Sequence, residues 1–189
     1  MDFELNEDNL MFQRMIRNFV SKEIEPYAGE WDETNKFPHD VIKKMADLGI
    51  LGVHFPEKYG GNGDELTFTI AGVEISRGSA GLGAAYLVIA GLAMTPIIEF
   101  GSEEQKQRFI PRVIKGDISA FALTEASAGS DAAALTTSYQ KSENGYILNG
   151  TKIFITNGAE ANIVTVFATR DSTLGYKGIS AFIVEKAPL

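Results

Sequence analysis

Residues 100–131, FGSEEQKQRFIPRVIKGDISAFALTEASAGSD, carry two structural grammars in one stretch. Ser102-Glu103-Glu104-Gln105 is a capping box: Ser102 caps a helix and Gln105, three residues on, reaches back to it. Phe109, Val113 and Ile114 then recur at helical spacing, and Gly116 closes the element. After Gly116 the pattern shifts toward alternation, and β-branched and aromatic residues take over. The chain therefore reads as α+β, with an all-α helical domain over residues 1–117 followed by the first part of an antiparallel β domain over 118–189.

Upstream, Asn6 caps a helix whose first turn holds Glu7 and Asp8, where negative charge suits the helix dipole. Phe12, Ile16, Phe19 and Val20 form its apolar stripe, and Pro26 ends it or begins the next element. A second helix starts near Pro38, puts Val41, Met45 and Leu48 on one face, and stops at Gly49. A third runs from Leu66 to Arg77 with Leu66, Ile70 and Val73 on one face. Ala80 to Ile98 is free of charge over 19 residues, close to the roughly 20 that span a bilayer. Gly81, Gly83, Gly91, Pro96 and several alanines argue instead for a helix buried on all sides, with no membrane span. Gly78 to Gly83 is as glycine-rich as a phosphate loop, but no strand precedes it and no P-loop lysine follows, so it reads as close helix packing.

Downstream, strands are expected at Ser119–Thr124, Thr136–Lys141, Tyr146–Leu148, Thr151–Thr156, Ile163–Thr169 and Ile179–Val184. Asn144-Gly145, Asn149-Gly150 and Asn157-Gly158 suit tight turns between antiparallel strands. The chain stops at Leu189 just after an apolar strand. So few strands leave a long unpaired edge, and the natural protein is expected to continue.

Composition removes several functions. The chain has 189 residues and, with 17 basic against 25 acidic side chains, a net charge of -8. That charge repels a phosphate backbone, so nonspecific nucleic-acid binding is not expected. An anionic ligand would be held locally, by backbone amides or helix ends. The absence of cysteine excludes disulfides, thiolate metal sites and cysteine nucleophiles. His39 and His54 match no metal-binding spacing, and no metal is expected. The acidic start Met1-Asp2-Phe3-Glu4 has neither signal-peptide nor transit-peptide order, and the expected compartment is the cytoplasm.

Two segments could carry chemistry. In ALTEASAGSD (122–131) a strand meets a polar turn whose small residues leave backbone amides uncovered, and such a nest binds phosphate without Lys or Arg. It also reads as an ordinary Gly-rich loop. In LNGTKIFITNG (148–158) Phe154 and Thr156 share one face of the expected strand and Ile153 and Ile155 the other. An aromatic face beside a hydroxyl can floor a flat heteroaromatic ring, and the same residues also read as a routine half-buried strand.

FPEKYGG (55–61), FGSEEQKQRFIP (100–111), ALTEASAGSD and KIFITNG (152–158), in this order and separation, resemble the acyl-CoA dehydrogenases, and GISAFIVE (178–185) is similar to a later strand of that family's middle domain. The resemblance implies a helical domain, a middle β domain and a C-terminal four-helix domain, with FAD between the last two and completed by a neighbouring subunit. It implies that Phe121, Leu123 and Thr124 line the flavin ring and its pyrimidine edge, and that Gly129 and Ser130 reach the pyrophosphate or nearby ligand atoms. By the same resemblance Phe154 packs on the isoalloxazine with Ile155 beside it, and Thr156 hydrogen-bonds near flavin N5. Ser130 lies near the pantetheine arm, while Tyr86, Ile89, Ala90 and Met94 line the acyl pocket. The implied reaction is α,β-dehydrogenation of an acyl-CoA, short-chain and butyryl-like, with hydride passing to the flavin. The implied electron acceptor is an electron-transferring flavoprotein, and the implied assembly is a homo-oligomer, tetrameric in the family. The catalytic base is a Glu expected beyond Leu189, so no catalytic residue falls within this chain. Glu125 is not nominated, since a strand-end Glu reads as solvated or structural. Ala126 stands where the family often has Pro, which leaves the turn less stiff. Competing readings are a non-catalytic assembly module pairing through its open β edge, and a flavin reductase or nitroalkane oxidase of related fold.

Overall fold

The computed structural model describes residues 4–186. The start at Met1 and the end at Leu189, read above for a leader and for continuation, lie outside the described residues. Among the described residues seven α-helices precede five strands: α1 Glu7–Glu23, α2 Ala28–Thr34, α3 His39–Asp47, α4 Glu65–Gly78, α5 Ala80–Tyr86, α6 Thr95–Phe100 and α7 Glu103–Ile114, then β1 Ser119–Ala122, β2 Ser138–Ser142, β3 Gly145–Asn149, β4 Ile163–Thr169 and β5 Ile179–Glu185.

The caps act as the sequence predicts. Asn6 Oδ1 accepts from the Asn9 amide at 2.8 Å. In α7, Ser102 Oγ accepts from Gln105 N at 3.2 Å while Gln105 Oε1 accepts from Ser102 N at 2.9 Å. The helix faces need correction. Leu48 is half exposed, and α3 buries Val41, Ile42 and Met45 instead. In α4 Leu66 and Val73 are exposed, and Ile70, Ala71, Gly72, Glu74 and Ile75 turn inward. Two small residues and an acid take the inner face, so an apolar stripe alone points the wrong way. Glu74 is fully buried because Arg17 (2.7 Å), Arg77 (2.8 Å) and Gln13 (2.9 Å) satisfy its carboxylate. The short helix α2 carries no periodic apolar signal and was not expected; it ends at Asn35 in the left-handed region, φ 53°.

The uncharged stretch is not one helix. After α5 the backbone widens into a π-helical segment, Leu87–Leu92, before α6. Ala80–Phe100 is long and apolar enough to cross a membrane, but Leu82, Tyr86, Ile89, Ala90, Met94 and Ile97 sit in the core shared with the sheet. Burial on all sides is also corrected, because Leu87 and Leu92 face outward. The glycines do pack helices closely: a Cβ on Gly83 would stand 2.1 Å from Ser76 Oγ, and one on Gly78 would stand 2.4 Å from Val20.

The sheet is mixed rather than purely antiparallel. β4 pairs antiparallel with β5 along one side, and parallel with β1 and then β2 along the other; β3 forms an antiparallel hairpin with β2. Of the three Asn-Gly pairs, only Asn144-Gly145 turns a hairpin. Residues 151–156 form no strand. Phe154 (φ 56°) and Asn157 (φ 65°) adopt left-handed backbone there, which breaks any ladder.

Candidate functional site

The two chemistry-bearing segments lie side by side beyond the end of β1. Ile153 N donates to Thr124 O at 3.0 Å. Lys152 Nζ donates to Leu123 O at 2.9 Å and to Glu125 Oε1 at 2.7 Å. Glu125 Oε2 accepts from the Thr136 amide and hydroxyl at 2.7 and 2.6 Å, and Oε1 accepts from Thr137 N at 2.9 Å. Burial alone would push the Glu125 carboxyl up, but Lys152 and the two threonines outweigh it and hold the group well below the usual carboxylate range. Glu125 is thus structural and buried, not solvated. It also closes a tight turn, its amide and carbonyl bonding to Ala128 at 3.0 and 3.2 Å, so Ala126 holds this turn without proline.

Past that turn the backbone is open. Among the described residues, no protein group accepts from the amides of Ala126, Ser127, Gly129, Ser130 or Asp131. Gly129 and Ser130 are exposed, and a Cβ on Gly129 would meet nothing within 4 Å. Phe121 is half-buried with its ring 4.9 Å from that of Phe167, and Leu123 and Thr124 are half-buried beyond it.

Phe154 is 90% exposed although its left-handed backbone suits a bulky residue badly. Alternation survives without a strand: Phe154 and Thr156 face out, and Ile153 and Ile155 are half-buried. Among the described residues the hydroxyls of Thr124 and Thr156 take part in no hydrogen bond. Asn157 Nδ2 donates to both Ala85 O and Ser119 O at 3.2 Å, tying this segment to α5 and β1. A cleft of about 720 Å³ opens behind it, lined by Trp31, Phe37, Leu82 and Ile155 among others.

Lys152 and Asn157 were missed as site-building residues. One signal was readable: a lone Lys in the apolar run KIFI, matched by a lone Glu in the other motif.

The structure brings none of the four nominated acyl-pocket residues to a surface. Tyr86, Ile89, Ala90 and Met94 are fully buried, and Leu87 and Leu92 are the accessible large side chains of that segment. Tyr86 OH donates to Ile50 O at 3.4 Å, and burial pushes its phenol up. His39 pairs with Glu160 at 3.0 Å, and His54 Nδ1 lies 3.4 Å from Glu65 without a hydrogen bond. No group of three metal-ligating side chains occurs among the described residues.

The family profile "Acyl-CoA dehydrogenase, N-terminal domain" matches residues 6–117, and "Acyl-CoA dehydrogenase, middle domain" matches residues 120–188. The chain belongs to the acyl-CoA dehydrogenase family. An acyl-CoA dehydrogenase of Bacillus subtilis (strain 168) is 46% identical over 184 residues, which are 96% of this chain and 48% of that protein. Butyryl-CoA dehydrogenase from Megasphaera elsdenii superposes with a TM-score of 0.91 at 39% identity, over 98% of this chain and 50% of that one. A glutaryl-CoA dehydrogenase from Mycobacterium smegmatis in complex with FADH2 gives 0.87 at 34% identity, over 96% and 46%. The chain thus spans about half the length of the relatives it matches.

Proposed function

We propose that this chain is the helical and β portion, divided near residue 117, of an FAD-dependent enzyme that oxidises the Cα–Cβ bond of a short-chain acyl-CoA. One observation carries the reading. Residues 121–124 are hydrogen-bonded to Lys152 and Ile153, which lead into 154–156, and the Glu125–Ala128 turn leads on to 129–131; together these segments offer an exposed aromatic ring, two unengaged threonine hydroxyls and a run of unengaged amides.

These residues fit a dinucleotide flavin. On a chain of net charge -8, a diphosphate needs local main-chain donors, and the amides about Gly129 and Ser130 supply them. Lys152 is committed to Glu125 and is not the phosphate ligand. Phe121, Leu123 and Thr124 would border the ring and its pyrimidine edge, and Phe154, Ile155 and Thr156 would cover its opposite flank. FAD, when bound, supplies the two-electron acceptor.

The rest of the reading concerns the substrate. Ser130 reaches toward the pantetheine arm. The 86–94 segment forms the acyl wall, with Leu87 and Leu92 at its surface and Tyr86, Ile89, Ala90 and Met94 packed behind to hold its shape. The base that takes the α proton is a carboxylate outside residues 1–189. In the complete protein we place the enzyme in the cytoplasm as a homo-oligomer that passes electrons to an electron-transferring flavoprotein.

Anaerobic addition of butyryl-CoA to the complete polypeptide tests this. Bleaching of the bound flavin's visible absorbance is expected. A stable flavin spectrum with butyryl-, hexanoyl- and octanoyl-CoA would contradict it.

A further inference from the structure

We infer that Lys152 and Glu125 are positioning residues that fix the spacing between the two flavin-contacting segments, an inference that rests on the flavin reading above. The Lys152 and Glu125 side chains retain 9% and 4% of their surface, so the pair is sealed from solvent. The carboxylate end is saturated. Glu125 receives two hydrogen bonds on each oxygen, from Lys152, Thr137 and twice from Thr136, which leaves no lone pair for a ligand. Lys152 directs two of its three ammonium hydrogens to Leu123 O and Glu125. Neither group is placed to touch a bound molecule.

What the pair does is join main chain to main chain. Leu123 and Thr124 border the ring on one side, and Phe154 lies two residues past Lys152 on the other. Lys152 ties them directly, and the Ile153–Thr124 backbone bond at 3.0 Å runs beside that tie. Beyond Phe154, Asn157 anchors the segment to Ala85 O and Ser119 O. Phe154 is therefore clamped on both flanks, the over-determination that a bulky residue at φ 56° requires.

Stability alone is a weak explanation for the pair. Replacing a buried ion pair by uncharged groups of similar volume is often neutral, whereas removing one partner strands a buried charge. This difference separates positioning from support. K152M leaves Glu125 charged and unpaired, and should lower the thermal midpoint strongly. K152M/E125Q removes both charges and should recover most of that loss, yet it still lacks the tie to Leu123 O.

The test uses the complete polypeptide stripped of flavin, with FAD titrated into wild type and K152M/E125Q. Thermal midpoint, flavin absorption spectrum and flavin reduction potential are measured alongside. The inference expects a near-wild-type midpoint in the double variant with roughly tenfold weaker FAD binding and a shifted spectrum and potential. A folded double variant with wild-type affinity, spectrum and potential would overturn the inference and leave the flavin reading intact. Wild type that binds no FAD would overturn both. K152Q/E125Q, which likewise removes both charges and the ammonium tie to Leu123 O, serves where K152M/E125Q does not fold, and the same outcomes decide.

Discussion

Ser119, at the start of β1, donates its hydroxyl to the carbonyl of Ile89 at 2.8 Å, within the π-helical segment. That carbonyl lacks a helical partner, because Ala93 N bonds Val88 O and Met94 N bonds Gly91 O. Thr165 on β4 does the same for Ala93 O at 2.7 Å. The sheet hydroxyls thus satisfy carbonyls that the widened helix leaves over, and dock the two layers. Ser119→Ala and Thr165→Val should each lower stability by about 1–2 kcal/mol, read from urea unfolding with an unchanged slope.

Gly83 and Gly81 lie on the same short helix with opposite surroundings. A Cβ at Gly83 meets Ser76 side chain and backbone at 2.1 and 2.8 Å; at Gly81 it meets nothing within 4 Å. Gly83→Ala should destabilise by about 1–3 kcal/mol through overpacking. Gly81→Ala should gain up to about 1 kcal/mol of helix propensity. Thermal midpoints of the two variants should move in opposite directions.

Stability should fall with acid, and two buried carboxylates set the range. Hydrogen bonds from Arg17 hold Glu74 below its ordinary 4.5. For Glu125, burial pushes upward but Lys152, Thr136 and Thr137 pull it further down. A depressed native pKa means that the unfolded chain takes up the proton first. These groups therefore stabilise the fold fully above the ordinary 4.5 and lose that contribution as pH falls below it toward their native values. Denaturant midpoints measured stepwise below that value should drop. The slope with pH should be shallower in E74Q, compared with its own neutral-pH value.

The α-to-β order, the capping box and β4 were legible because each has a local cause: a reciprocal cap, a glycine stop, a run of β-branched residues. Other features depend on partners distant in sequence. The inner face of α4 follows from Arg17 and Arg77 making a buried Glu74 tolerable. Residues 151–156 alternate like a strand, but the left-handed Phe154 removes them from any ladder. Within the site, exposure of Phe154 and Thr156 followed from that alternation, whereas Lys152 reveals its role only once Glu125 stands beside it. The parallel pairing of β1 with β4 needs a crossover that no turn motif announces.

Phe154→Gly separates the ring's service to a ligand from any service to the fold. Burying a Phe is typically worth about 3–5 kcal/mol on truncation, but this ring is 90% exposed and its backbone is one that glycine adopts freely. The variant should keep its unfolding free energy within about 1 kcal/mol of wild type, while FAD binds measurably more weakly in fluorescence titration.

The central claim, that the surface at residues 121–131 and 154–156 binds a flavin dinucleotide, is tested most directly by calorimetric titration of FAD into the gently deflavinated complete polypeptide. One FAD per chain is predicted, with an exothermic isotherm and a yellow product. No heat of binding and a colourless protein after desalting would contradict it.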